Sequence, residues 1–157
     1  MKIKFYLIFA SIVFTFVFPG CSSGYKEVTI ARGFVITPEW TQITHEQPLI
    51  VEKEHQYIRI SVKESFDAFS SKGIKAPDGQ VANPEIKLIT GGNEPRTYRL
   101  AYAGADSEAI RGEFANYQPV EPLPNGTVIE KVFIRSNIEI PTKAIKWSVF
   151  NWQDVHK

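Results

Sequence analysis

Beyond Gly24 the chain is punctuated by stretches in which apolar and polar residues alternate strictly, and a period of two commits a backbone to strands. Ile58, Ile60 and Val62 interleave with Tyr57, Arg59, Ser61 and Lys63. Tyr98, Leu100 and Tyr102 alternate with Thr97, Arg99 and Ala101, and Ile145, Trp147 and Val149 with Lys146, Ser148 and Phe150. Less regular apolar runs lie at Val28 to Ile36, Ile86 to Ile89 and Val128 to Ile134, and Ile110 to Tyr117 reads as a strand interrupted by Gly112. No window carries the three-to-four spacing of an amphipathic helix. Ser65 to Phe69 is the one place left for a helical turn.

Turn chemistry separates these runs. Pro77-Asp78-Gly79, Gly91-Gly92-Asn93 and Asn125-Gly126 supply residues that accept positive φ or preset it. The Gly91 to Pro95 turn joins its two flanking strands as a hairpin. Pro119, Pro122 and Pro124 make the segment up to Asn125 a stiff connection. Seven to eight strands without helices predict an all-β, antiparallel β-sandwich over residues 25–157. Ile58, Ile60, Val62, Leu100, Val132, Ile134, Trp147 and Val149 are its expected core. The last stretch is a proline-rich loop, Asn125-Gly126, a strand, a short break and a strand bearing Trp147. It resembles the closing hairpin of immunoglobulin-like sandwiches in layout, without the cysteine pair and central tryptophan of antibody domains.

Ahead of the domain stands a segment of another kind. Lys2 and Lys4 precede an apolar run from Phe5 to Phe18, followed by Pro19-Gly20-Cys21-Ser22-Ser23-Gly24. A positive start, a short apolar stretch and small residues before a cut site make a secretory signal. Fourteen residues from Phe5 to Phe18, with Ser11 and Thr15 among them, fall short of the ~20 that span a bilayer as a helix. The single cysteine sits where the cut falls. This resembles the signal of bacterial lipoproteins, with Gly20 in its usual place, Phe18 standing for leucine and Pro19 departing from the small residue of the pattern. The resemblance implies that residues 1–20 are removed and that Cys21 is diacylated as the new N-terminus. It further implies an exported protein held on a bacterial membrane by its lipid. An ordinary cleaved signal and an uncleaved anchor are the rival readings. One cysteine allows no internal disulfide, so packing alone must hold the domain. Residues 21–24 form a short linker that keeps the domain close to the bilayer.

Charge and motifs narrow the function classes. Of 18 basic residues two lie in the signal, leaving 16 against 17 acidic ones. With no local basic cluster, this argues against nucleic acid as a partner. No Gly-x-Ser-x-Gly elbow, phosphate loop, dinucleotide fingerprint or metalloprotease histidine pair occurs. No cofactor is expected. His45, Glu52, Glu54 and His55 are the only candidate metal cluster, and they read better as a solvated charged loop, since Glu54 and His55 point to opposite faces of an extended chain. Aromatic residues carry more weight. Phe66 and Phe69 stand in a polar stretch, and Trp152 follows Phe150 on the strand face away from Trp147. These three rings are the expected interaction surface, for an envelope protein or a polysaccharide. The expected function is a lipid-anchored, non-catalytic binding module. The alternative is a hydrolase-type enzyme with a site assembled from loops.

Overall fold

The computed structural model of the chain describes residues 25–52, 54–70, 73–108 and 112–150. Thirteen strand segments follow one another: β1 (Tyr25–Arg32), β2 (Val35–Ile36), β3 (Thr41–Ile43), β4 (Leu49–Ile50), β5 (His55–Val62), β6 (Asp67–Ser70), β7 (Gly73–Lys75), β8 (Val81–Ala82), β9 (Glu85–Thr90), β10 (Thr97–Glu108), β11 (Gly112–Pro119), β12 (Val128–Arg135) and β13 (Ile140–Phe150). No helix occurs among the described residues, and Ser65 to Phe69 passes from a turn into β6. The described chain is all-β, and its strands pair antiparallel.

Eight strands form one continuous hydrogen-bonded path, β1-β13-β5-β11-β10-β9-β12-β3, with β2 added to β13 and β4 to β12. The path folds over at β10. Thr97 to Leu100 pair with β9, whereas Leu100 to Glu108 pair with β11. The register shifts between Tyr102 and Gly104, and Gly104 takes φ +118°, a conformation open to glycine and strained for other residues. One arm of the path is therefore β1, β13, β5, β11 and the far half of β10. The other is the near half of β10, β9, β12 and β3.

Both arms turn their alternating apolar residues onto one core. Ile58 and Ile60 of β5, Ile145, Trp147 and Val149 of β13 and Tyr117 of β11 meet Ile86 and Leu88 of β9 with Val132 and Ile134 of β12. All eight expected core residues are buried. The hairpin around Gly91 to Pro95 forms as expected, with Ile89 opposite Thr97 and Ile86 opposite Leu100. The strand expected from Ile110 begins, among the described residues, at Gly112 and runs to Pro119.

The closing hairpin does not form. β12 pairs with β9, β3 and β4, and β13 pairs with β1, β5 and β2, so the last connection crosses between arms. β12 already has a partner on each edge. The chain after it is held by residues 34–37: Ser136 N donates to Thr37 O at 2.9 Å and Thr142 N to Phe34 O at 2.9 Å. β13 is thus delivered to the gap between β1 and β5.

A second, three-stranded sheet, β6-β7-β8, buries Ala68, Ile74 and Ala82 in the same core. Tyr102 Oη donates to Ala68 O at 3.1 Å, and Asn137 Nδ2 donates to Val81 O at 3.1 Å. The small sheet is thereby fixed to β10 and to the β12–β13 connection, at the end of the domain where β12 finishes. The opposite end is defined by Lys26, which pairs with Glu52 at 2.8 Å, and by Ile50, which lies opposite Val128 at the start of β12. The N-terminus of β1 belongs to that end.

Candidate functional site

Of the three expected interaction rings, only that of Phe66 falls within what is described. Cys21 and Trp152 lie outside the described residues. Phe69 lies in β6, with its side chain outside what is described, and Phe66 is half-buried against the core. The candidate metal residues are strung along the chain, His45 between β3 and β4, Glu52 and Glu54 between β4 and β5, and His55 at the start of β5. The His45 Nδ1–H donates to Gln47 O at 2.8 Å, leaving its buried Nε2 without a partner among the described residues. Glu52 is engaged by Lys26, and His55 opens β5 opposite Phe150. Among the described residues no three histidine, cysteine or acidic side chains are grouped as metal ligands.

Two other surfaces come from the strands themselves. On the first arm the polar residues of β5, expected to face solvent, are buried: Arg59 and Ser61 are 5% and 3% exposed. The reason is a charge network built from five strands. Glu27 of β1 accepts from Arg59 Nη1 at 2.7 Å and from Lys146 Nζ at 2.5 Å, and Ser148 Oγ donates to it at 3.2 Å. Arg59 also donates to Asp106 at 2.6 Å and to Asn116 Oδ1 at 3.3 Å. Both cations lie over the ring of buried Phe114, Arg59 at 4.3 Å and Lys146 at 4.6 Å from its centre. The side chains of Arg59, Glu27 and Lys146 are only 6–10% exposed. In such surroundings each charge requires its partner. A recess of about 660 Å³ lies beside the network. Two of its cations are occupied, Lys146 by Glu27 and Lys143 by Glu64 at 3.2 Å. This face clamps the edge strand β1 to the sheet.

The outer face of the second arm is organised differently. Its central row runs across four strands, Arg99 opposite Lys87, Lys87 opposite Phe133 and Phe133 opposite Gln42. Lys131 lies opposite Ile89 in the next row, and Arg135 opposite Glu85 in the row on the other side. Glu85 is held by Arg135 at 2.9 and 3.0 Å. Trp40 supports the row from the side, with Lys87 Nζ 3.8 Å and the Arg135 guanidinium 4.7 Å from its ring centre. Lys87, Arg99 and Lys131 make no ion pair among the described residues, and the rings of Trp40 and Phe133 are half-buried. The sequence hides this cluster because its cations come from three strands, each with an unremarkable local charge. The signal that finds it is alternation: in each strand the cation takes the position opposite in phase to the buried residues.

This open face, whose Lys87, Arg99 and Lys131 make no ion pair among the described residues and stand around a half-buried ring, is the candidate site, and its cations are placed to meet an anion. No protein-family model matches the chain, and no curated protein or solved structure shows significant similarity to it.

Proposed function

We propose that the protein is exported, tethered to a bacterial membrane by a lipid on Cys21, and acts there as a non-catalytic binding module. The tether rests on the signal-like segment before the lone cysteine. The binding role rests on one contrast. The buried cations of the first arm, Arg59 and Lys146, are matched internally by Glu27 and Asp106, whereas Lys87, Arg99 and Lys131 on the second arm make no ion pair among the described residues. A like-charged cross-strand pair such as Arg99 and Lys87 destabilises a sheet when nothing lies between them. An anionic partner converts that cost into affinity.

Fractionation of cells expressing the wild type and Cys21→Ser tests the tether. The wild type is expected with membranes, and the variant in the soluble fraction or as uncut precursor. Identical partition of the two contradicts the lipid reading. Turnover of an ester, amide or glycoside bond by the purified protein contradicts the non-catalytic reading and favours the hydrolase alternative.

A further inference from the structure

We infer that the outer face of β9, β10 and β12 binds an acidic polysaccharide, whose carboxylates meet Lys87, Arg99 and Lys131 and one of whose sugar rings lies on Phe133. The inference rests on the binding-module reading and supplies its ligand class.

The spacing is set by the sheet. Neighbouring strands lie about 4.8 Å apart, so the row from Arg99 through Lys87 to Phe133 spans about 10 Å. Lys131 sits diagonally from Lys87, across the β9–β12 pair. The one carboxylate of this face with a resolved partner, Glu85, is already held by Arg135. Trp40 restrains the Lys87 ammonium from the side, which lowers the ordering cost of a contact made there. Beyond Cys21 the chain is nearly neutral, with 16 basic residues against 17 acidic, so a general excess of positive charge does not account for the cations of this face.

The class of ligand follows from what the face lacks. β9 lies between β10 and β12, and β12 between β9 and β3, so the backbone groups along the paired stretches are committed to ladders. A peptide cannot add here as a strand, and contact must run through side chains. A stiff polymer with regularly spaced carboxylates and flat C–H faces satisfies cations and a half-buried ring together. A phospholipid surface fits the geometry poorly. The N-terminus of β1, next to the proposed anchor, shares its end of the domain with Ile50 and Val128, through the Lys26–Glu52 pair. From Val128 the strand β12 runs away from that end, carrying Lys131, Phe133 and Arg135 progressively further, so the face stands up from the bilayer instead of lying on it.

The test uses full-length protein in detergent micelles and four probes: polygalacturonate, neutral dextran, poly-glutamate and phosphatidylglycerol vesicles. Polygalacturonate is expected to bind in a salt-sensitive manner, and dextran not to bind. Lys87→Gln combined with Lys131→Gln is expected to weaken polygalacturonate binding about tenfold without lowering the unfolding midpoint. Phe133→Leu, which keeps the apolar bulk and removes the ring, is expected to weaken polygalacturonate binding further than poly-glutamate binding. Several results overturn the inference. Stronger binding to poly-glutamate, insensitive to Phe133→Leu, identifies an acidic protein partner, and binding to vesicles alone identifies a lipid surface. Polygalacturonate binding untouched by the double lysine variant moves the site elsewhere and leaves the binding-module reading standing. Binding to none of the four overturns the ligand class, while the partition of Cys21→Ser decides the tether independently.

Discussion

Tyr117 places a hydroxyl in the core where no described group accepts or donates a hydrogen bond, and Trp147 does the same with its indole N–H. The two flank Ile58 in one cross-strand row. Burial, with the neighbouring Tyr102 adding a smaller effect, pushes the Tyr117 phenol well above its ordinary value of 10.0. The sign of the pH dependence follows. Below 10.0 both folded and unfolded chains keep the proton; above it only the unfolded chain releases it readily, so stability falls as pH rises. Tyr117→Phe is expected to leave stability at neutral pH equal or higher by about 1 kcal/mol, and to flatten the alkaline decline. Denaturant titrations at neutral and strongly alkaline pH check both, and an equally steep decline in the variant contradicts the assignment. At this scale the sequence was informative about apolar residues and misleading about polar ones. Ile58, Ile60 and Val62 are buried as their alternation requires. Arg59 reads as solvent-facing because the alternation cannot reveal Glu27 and Phe114, which reach it only through the fold.

Among the elements, β1 depends most on a single side chain. Glu27 joins it to β5 and β13 by accepting from Arg59, Lys146 and Ser148. Glu27→Gln removes the counter-charge of buried Lys146 and leaves Arg59 with Asp106 alone, and is expected to cost about 3–5 kcal/mol, with early loss of amide protection along β1. Unchanged stability in denaturant shows instead that water already screens the network. The small sheet has a comparable point of failure at Gly73. It takes φ +139°, and a Cβ there meets Ala82 O at 2.5 Å. Gly73→Ala is therefore expected to detach β7 from β8, visible as lost amide protection confined to β6–β8. Strand positions and the β9–β10 hairpin were legible because turn residues and short loops fix them locally. The separation of β12 from β13 was not. A short break suits a hairpin and a crossing equally, and the choice is made by the bonds of residues 34–37 to Ser136 and Thr142.

For the molecule as a whole, the continuous path and single core predict cooperative unfolding. Ile60→Ala, at a fully buried position, is expected to lower stability by about 2–4 kcal/mol in one transition seen equally by fluorescence and circular dichroism. Two separated transitions contradict a shared core. The same assembly sets Lys87, Arg99, Lys131 and Phe133 side by side, which no local stretch of sequence displays. The expected surface of Phe66, Phe69 and Trp152 drew on polar surroundings in the sequence; of the three, Phe66 is half-buried against the core, while the Phe69 ring and Trp152 lie outside what is described. Everything proposed about where this face works depends on the tether. Mass spectrometry of protein extracted from native membranes tests it most directly. The expected result is a peptide beginning at Cys21 that carries the mass of acyl chains; an unmodified Cys21, or an intact N-terminus at Met1, contradicts it.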